Sequence, residues 1–208
     1  NYMMLNNNMK LFITGANGYI GRNFIRNASK KNFKIFALTR KKRNKKIKNV
    51  KWLIGSINRN WKELNHQTIL IHFAAAGAKR DYGENYKRFY KFNVVLSKKL
   101  IENAVRSNCK NWIIISTNKE KKIENLRITK SLLQKKKNDH DFNYALTKFY
   151  FTKECLKIAK KNNIKCRILR LFHIYGRDEN KTRLWPSLIR AAKETTDFKM
   201  SSGDQITD

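Results

Sequence analysis

The stretch Thr14-Gly15-Ala16-Asn17-Gly18-Tyr19-Ile20-Gly21, hereafter the glycine-rich turn, follows a short apolar run and precedes apolar residues at helical spacing. Gly15 permits a tight turn, Gly18 lets a phosphate approach the backbone without meeting a Cβ, and Gly21 allows close packing of the helix on the strand. Free N–H groups and the helix dipole favour an anion at this point. A glycine triplet alone is weak evidence. Its place between a predicted strand and a predicted helix indicates a pyrophosphate-binding turn rather than a turn without a ligand.

Short apolar runs alternate with longer amphipathic stretches along the rest of the chain. Six runs are predicted strands: residues 11–13, 35–38, 52–54, 69–73, 112–115 and 167–171. Helical spacing predicts helices after the glycine-rich turn, over 92–105 and over 144–160, and the polar stretch 118–140 predicts a loop with a short helix. Apolar strands separated by helices indicate a parallel sheet covered on both faces. With right-handed crossovers this is an α/β fold, a doubly wound parallel sheet of the Rossmann type.

Length and composition limit the classes of protein that fit. The 208 residues, 41% of them hydrophobic, suffice for one large domain with a substantial core. No apolar run approaches the roughly 20 residues of a membrane-spanning helix, and the first residues show no secretory signal, so we expect a cytoplasmic protein with no membrane partner. The three cysteines lack redox or metal spacing and the four histidines form no ligand motif, so we predict reduced thiols and no metal.

The formal net charge of +32 is unusual for a chain of this length. Such a charge is typical of proteins that bind nucleic acid or anionic membranes, because lysine and arginine gain affinity by releasing counterions. Here the basic residues are spread along the whole chain, and the densest run, 40–48, falls in a predicted loop. We therefore favour a lysine-rich composition over a specific nucleic-acid partner, and we expect the charge to help hold an anionic substrate.

The end of the second predicted strand bears on the choice of cofactor. NAD-binding proteins usually carry Asp or Glu there, to accept hydrogen bonds from the ribose hydroxyls. This chain has Thr39-Arg40, followed by Lys41-Lys42-Arg43. A guanidinium at this point suits a 2′-phosphate, so NADP is favoured over NAD. Ser56, after the third strand, is a candidate for a hydrogen bond to the adenine; a loop serine without that role is the alternative.

Tyr144 and Lys148 stand four residues apart in a predicted helix and therefore share one helix face. An ammonium beside a phenol favours the phenolate, so we expect Lys148 to lower the pKa of Tyr144. Such a tyrosine can exchange a proton with a sugar hydroxyl while hydride moves to or from a nicotinamide. Thr117, at the end of the fifth strand, is placed to orient the same hydroxyl. Tyr-x-x-x-Lys alone is a weak signal, but after a glycine-rich turn it indicates a catalytic pair rather than a solvated helix face.

With these features in this order, the chain resembles the extended short-chain dehydrogenase/reductase family of the NAD-dependent epimerase/dehydratase type. The resemblance covers nearly all of residues 9–208. Its motifs are Thr14 to Gly21, His72-Phe73-Ala74-Ala75, Asn93-Val94, Ser116-Thr117, Tyr144 to Lys148, Leu169-Arg170-Leu171-Phe172-His173-Ile174-Tyr175-Gly176, Leu184-Trp185-Pro186-Ser187-Leu188-Ile189 and Gly203-Asp204-Gln205. The segments from Phe172 and from Gly203 are most similar to sugar-nucleotide reductases and epimerases of surface-polysaccharide synthesis, including the CDP-abequose synthase group.

The resemblance implies that Thr117, Tyr144 and Lys148 are catalytic, and that Thr117 and His173 contact a nucleotide-linked sugar. The full set of residues expected at the cofactor is Gly15, Asn17, Gly18, Tyr19, Ile20, Gly21, Arg40, Ser56, Ala74, Ala75, Asn93, Tyr144 and Lys148. A homodimer is also implied, formed through the helices that begin near Asn93 and near Tyr144. His173 and Ser56 stand where the family usually has Asn and Asp, so the sugar and the nucleotide stay open.

Two domains are expected from the same resemblance. Residues 9–172 form an NAD(P)-binding Rossmann domain, and residues 173–208 form the start of a sugar-nucleotide-binding lobe. Because family members are longer, we expect the rest of that lobe to be missing, in a fragment or a truncated protein.

Two classes of function fit the sequence. The first is a reductase or epimerase that transfers hydride at a sugar carbon. A dehydratase is disfavoured, because Asn118-Lys119-Glu120 offers one carboxylate beside Thr117 where elimination needs a pair. The second is a Rossmann-fold binding or regulatory protein, or an inactive fragment, without turnover. The intact Thr117, Tyr144 and Lys148 favour the enzyme.

Overall fold

The computed structural model describes residues 9–31, 33–41, 46–78, 86–198, 200 and 202. Its strands are β1 (Lys10–Thr14), β2 (Lys34–Thr39), β3 (Val50–Ile54), β4 (Thr68–His72), β5 (Asn111–Thr117) and β6 (Lys165–Leu171). Its helices are α1 (Tyr19–Lys30), α2 (Tyr86–Tyr90), α3 (Ser97–Arg106), α4 (Glu120–Glu124), α5 (Lys130–Lys135), α6 (His140–Lys161) and α7 (Leu184–Glu194). Six strands and the helices that flank them in this part of the chain confirm the predicted α/β fold.

The sheet is parallel throughout, with the strand order β3-β2-β1-β4-β5-β6. Phe12 of β1 is the register partner of both Phe36 of β2 and Leu70 of β4, and Leu70 is in turn the partner of Trp112 of β5. The order reverses between β1 and β4, because the chain builds outward from β1 on one side and from β4 on the other. In doubly wound sheets, ligands bind at the carboxyl ends of the strands beside such a reversal.

Both faces of the sheet are buried. On one face Phe12 and Trp112 pack with Phe151 of α6, and on the other Ile13 packs with Ile25 of α1. These five side chains are at most 1% exposed. Each large apolar side chain removed from water contributes roughly 1.5–3 kcal/mol to folding. Burial on both faces explains why the strands are apolar without alternation.

Two segments differ from the sequence prediction. The helical stretch expected over 92–105 contains a π-helical segment, Lys91–Leu96, between α2 and α3. The stretch expected as a loop with one short helix contains two, α4 and α5. Ile123 of α4 is buried against Phe142 and Leu146 of α6. The apolar residues of this stretch pack on α6 but do not recur at helical spacing, so their pattern gave no strong helical signal.

The chain divides into two compact units, residues 1–172 and 173–208. The first unit contains the sheet and α1 to α6, and the second contains α7. In the second unit, the ring centroids of Tyr175 and Trp185 lie 5.6 Å apart. Nowhere in the described residues is a helix both long and apolar enough to cross a membrane.

Candidate active site

The glycine-rich turn joins β1 to α1 at the edge where the strand order reverses. Gly15 has φ +69°, in the region that L side chains rarely adopt, and a Cβ there would lie 2.6 Å from the backbone N of Ala74. Gly18 closes the turn by donating from its N–H to the Gly15 carbonyl at 2.8 Å. The turn is therefore possible only with glycine at position 15, because the loop after β4 passes directly against it.

Gly18 and Gly21 have different surroundings. Gly18 is exposed, and a Cβ on it would meet only the Gly15 carbonyl, at 3.1 Å. Gly21 is buried, and a Cβ on it would overlap the same carbonyl. Gly18 is also the N-cap of α1 and offers no capping side chain, so the first N–H groups of the helix face an open surface. This arrangement suits a phosphate.

Asn17 has one amide atom engaged and one free. Its Nδ2 donates to Thr39 Oγ1 at the end of β2, at 2.5 Å. Its Oδ1 is buried and has no hydrogen-bond partner among the described residues. An oriented, unpaired acceptor in this turn fits a ligand that brings a donor, such as a ribose hydroxyl. Together with the open Gly18, it makes the turn a fit for a dinucleotide cofactor.

Thr39 orders the turn that follows β2. Its Oγ1 accepts from the Lys41 N–H at 3.2 Å and donates to the Lys41 carbonyl at 3.1 Å. Arg40 lies between these two bonds and is exposed. Lys42 and Arg43, the other basic residues predicted here, lie outside the described residues. Arg40 is thus presented to solvent from a fixed backbone beside the glycine-rich turn.

His72 connects β4 to β1. Its Nδ1 lies 2.8 Å from Thr14 Oγ1, and its ring stacks at a tilt on Phe151, with centroids 5.2 Å apart. Burial, helped by the charge of Lys148, lowers the pKa of His72 from 6.5 to about 3. His72 is therefore neutral. Through its contact with Thr14, His72 supports the glycine-rich turn.

Ala74 and Ala75 belong to the loop after β4, which Asn93 holds in place. Asn93 Oδ1 accepts from the Ala76 N–H at 2.7 Å, and its Nδ2 donates to the Ala76 carbonyl at 3.0 Å and to Thr147 Oγ1 at 3.0 Å. Asn93 is buried in the π-helical segment, a type of distortion that is frequent at functional sites. Its amide thus supports the loop, and direct contact with a cofactor stays a prediction.

Lys148 lies behind the strand ends with its ammonium buried. The side chain is 3% exposed, and Nζ donates to the Ile115 carbonyl of β5 at 2.7 Å. Burial lowers the pKa of Lys148 from 10.5 to about 8, while the charge of Glu120 acts in the opposite direction. The bond holds α6 against the strand that ends, two residues later, at Thr117.

Tyr144 does not have the lowered pKa that the sequence predicts. Burial raises the pKa of Tyr144 from 10.0 to about 12, and the negative charge of Glu120 adds to this rise. The prediction placed the Lys148 ammonium as the dominant influence, but that ammonium donates to the Ile115 carbonyl, and burial and the Glu120 charge set the pKa of Tyr144. In this structure Tyr144 is a phenol, a proton donor, at neutral pH.

Thr117 ends β5 in a turn with weak internal bonds. Its Oγ1 accepts from the Lys119 N–H at 3.4 Å and donates to Asn118 Oδ1 at 3.4 Å. Both distances are at the long end of the hydrogen-bond range. The hydroxyl is partly exposed and can exchange these bonds for a ligand.

Sequence reasoning placed Glu120 beside Thr117 as a single carboxylate but missed its buried contacts with Ser116, Thr152 and Arg170. Glu120 is fully buried, and its carboxylate accepts from Ser116 Oγ, from Thr152 Oγ1 at 2.8 Å and from Arg170 Nε at 2.9 Å. One signal was available: Arg170 interrupts an apolar strand, and a charge in such a place needs a counterion. The sequence does not indicate which carboxylate fills that role.

The remaining predicted residues are Ser56, His173, Tyr19 and Ile20. Ser56 is exposed and donates to Asn58 Oδ1, so its contact with an adenine stays a prediction. His173 is exposed and belongs to the second unit. Tyr19 and Ile20 are partly buried in the first turn of α1.

Comparison with known proteins adds to this geometry. The sequence model of the NAD dependent epimerase/dehydratase family matches residues 11–208. CDP-abequose synthase of Salmonella muenchen is 26% identical over 214 residues, which cover 99% of this chain and 67% of that protein.

Two solved structures are similar in fold. MoeE5 in complex with UDP-glucose and NAD has a TM-score of 0.68 at 19% identity, covering 88% of this chain and 60% of that one. UDP-glucuronic acid 4-epimerase from Bacillus cereus in complex with NAD has a TM-score of 0.68 at 20% identity, covering 90% and 64%. The chain therefore spans less than two thirds of the length of these structures.

Proposed function

Because the chain belongs to the NAD dependent epimerase/dehydratase family, we propose that it is an NAD(P)-dependent reductase or epimerase of a nucleotide-linked sugar. One observation carries the proposal: the buried Lys148 ammonium binds the Ile115 carbonyl. That bond fixes the helix of Tyr144 against the end of the strand that carries Thr117. MoeE5 was solved with UDP-glucose and NAD, and the UDP-glucuronic acid 4-epimerase from Bacillus cereus with NAD, which supports the same ligand classes here.

The cofactor is held by the glycine-rich turn in this proposal. The exposed Gly18 and the N-terminus of α1 receive the pyrophosphate, and Asn17 Oδ1 accepts from the adenosine half. Arg40, which is presented beside this turn, favours the 2′-phosphate of NADP over the free hydroxyl of NAD. Bound there, the nicotinamide supplies or accepts a hydride.

The catalytic groups act on one hydroxyl or carbonyl of the sugar. Thr117 orients that oxygen, and Tyr144 gives it a proton as a general acid or takes one as a general base. The raised pKa of Tyr144, about 12, favours the acid role. Lys148 positions α6 and contributes a nearby positive charge. A carbonyl that becomes a hydroxyl needs a proton donor, so the phenol form suits reduction.

Substrate and partner complete the proposal. Residues 173–208 are the start of the sugar-nucleotide-binding lobe, and His173 contacts the substrate. A second copy of the chain packs on the π-helical segment with α3 and on α6, where Val95 of the first and Leu156 of the second are exposed apolar side chains. The enzyme acts in the cytoplasm.

The test is Tyr144→Phe, with Tyr150→Phe on the same helix as the matched control. We expect NADPH to bind wild type and both variants equally in a fluorescence titration. In a screen of 4-keto sugar nucleotides, turnover by Tyr144→Phe falls by about 10²- to 10⁴-fold, the usual contribution of a general acid. Tyr150→Phe keeps its turnover. A chain that binds no dinucleotide, or whose turnover ignores Tyr144, is not this enzyme.

A further inference from the structure

Glu120 lies at the centre of a buried cluster formed by Ser116, Glu120, Thr152 and Arg170, hereafter the Glu120 cluster. Its Oε1 accepts from two hydroxyls, Ser116 Oγ and Thr152 Oγ1, and its Oε2 accepts from Arg170 Nε. These three donors compensate a buried carboxylate for the water it has lost.

Each donor comes from a different element of the candidate active site. Ser116 immediately precedes Thr117 on β5, and Thr152 follows Lys148 by four residues, on the same face of α6. Arg170 is the register partner of Ser116 on the neighbouring strand β6. One carboxylate thus ties together the strand end that carries Thr117 and the helix that carries Tyr144 and Lys148.

We propose that Glu120 is a positioning residue: its carboxylate holds Thr117 against the Tyr144–Lys148 helix and keeps a negative charge at that helix. The inference rests on the proposed function, in which Tyr144 is the acid/base.

The charges around Tyr144 make the electrostatic part specific. Glu120 on α4 is the charged group that acts on Tyr144. The groups that interact with Glu120 or Lys148 are Cys155 on α6, His72 on β4 and Arg170 on β6. His72 is neutral, and burial raises the pKa of Cys155, so neither carries charge at neutral pH. Lys148 and Arg170 are the cations, and Glu120 is the anion whose charge acts on Tyr144.

The decisive measurement is the titration of Tyr144 itself, without cofactor or substrate. The eight tyrosines are labelled at the hydroxyl-bearing ring carbon and followed by NMR, and Tyr144 is the signal lost in Tyr144→Phe. In wild type this signal stays protonated where exposed tyrosines are half ionised, at about pH 10. In Glu120→Gln its midpoint falls by about one pH unit, as expected for removal of one nearby charge.

Glu124→Gln is the matched control. Glu124 lies on the same short helix, its Oε2 is 3.9 Å from Arg170 Nη2, and it is 52% exposed. We expect its removal to leave the Tyr144 midpoint unchanged. A folded Glu120→Gln protein with the wild-type midpoint overturns the proposal. If Glu120→Gln does not fold, Arg170→Gln keeps the Glu120 charge and removes its counterion, so the Tyr144 midpoint rises, and an unchanged midpoint overturns the proposal.

Turnover and its pH dependence distinguish the positioning role of Glu120 from the effect of its charge. An acid loses activity as pH rises through its pKa, so the alkaline limb of kcat/KM moves to lower pH in Glu120→Gln. Thr152→Val keeps the charge and removes one tie to α6, so turnover falls about tenfold while the alkaline limb stays in place. Unchanged turnover in Thr152→Val overturns the positioning role. If the wild-type protein binds no NADPH, the proposed function is wrong. The titration of Tyr144 needs no cofactor and still tests the effect of Glu120.

Discussion

The glycine-rich turn and the Glu120 cluster lie at the carboxyl edge of one sheet and are built by opposite means. The turn is made of backbone: a positive φ at Gly15, a close approach by Ala74 and N–H groups at a helix start. The cluster is made of side chains from β5, α4, α6 and β6, with partners as far apart in sequence as Glu120 and Arg170. A backbone site is limited by shape, whereas a side-chain site depends on charge and therefore on pH.

The largest effect on stability is expected at Gly15, where the backbone shape of the turn excludes any side chain. In Gly15→Ala the new Cβ meets both a positive φ and the backbone of Ala74 at 2.6 Å. We expect a loss of about 4 kcal/mol in the free energy of unfolding, from a left-handed alanine and an overpacked contact together. Urea unfolding followed by circular dichroism measures it.

Gly18→Ala is the companion that separates fold from ligand. Gly18 has φ −67°, which alanine adopts freely, and its Cβ would meet only one carbonyl. We expect stability within about 1 kcal/mol of wild type but weaker NADPH binding, because the methyl group occupies the phosphate position. If Gly15→Ala and Gly18→Ala lost the same free energy of unfolding, the assignment of Gly15 to the fold and Gly18 to ligand binding would be wrong.

This turn could be predicted from sequence because everything it needs is local. Three glycines at fixed spacing, after a strand and before a helix, specify both the dihedral angles and the open N–H groups. The doubly wound parallel sheet could be predicted for the same kind of reason, since apolar strands with right-handed connections leave few arrangements. The end of β2 and the helix of Tyr144 were also placed correctly by pattern.

The Glu120 cluster could not be predicted, because its partners are chosen by packing. Glu120 is one acidic residue in a lysine-rich stretch, and its three donors are neighbours only once β5, α6 and β6 are assembled. The direction of the Tyr144 pKa was missed for the same reason. Helical spacing brings Lys148 near Tyr144, but it shows neither the bond that occupies the ammonium nor the depth of burial.

The second largest effect is expected at His72, which contacts Thr14 of the glycine-rich turn and Phe151 of α6. The pKa of His72 is lowered to about 3 in the folded chain, so the unfolded chain takes up its proton first as pH falls below about 6.5. Stability is therefore present above the unfolded pKa and is lost as pH falls through this window. Between about pH 7 and about pH 4, the protonation of His72 lowers the free energy of unfolding by about 3 kcal/mol.

His72→Asn tests this assignment, because an amide keeps a hydrogen bond to Thr14 and cannot titrate. The difference in unfolding free energy between wild type and His72→Asn should narrow as pH falls. His66→Asn, at an exposed loop histidine, is the control and should show a difference that does not depend on pH in this way. A parallel decline for wild type and His72→Asn would place the acid sensitivity elsewhere in the molecule.

The smallest effect is expected at Arg40, the one point where the backbone-built turn relies on a side-chain charge. Arg40 is exposed, and water and salt screen its attraction for a phosphate. In Arg40→Ala we expect NADPH to bind about three- to tenfold more weakly, NADH to bind as before, and added salt to erase the difference. Lys41→Ala controls for the general positive charge of the chain and should change both affinities equally. If Arg40→Ala instead weakens both cofactors to the same degree, Arg40 is part of the diffuse charge of this basic chain. The adenosine end of the site then carries no preference for NADP.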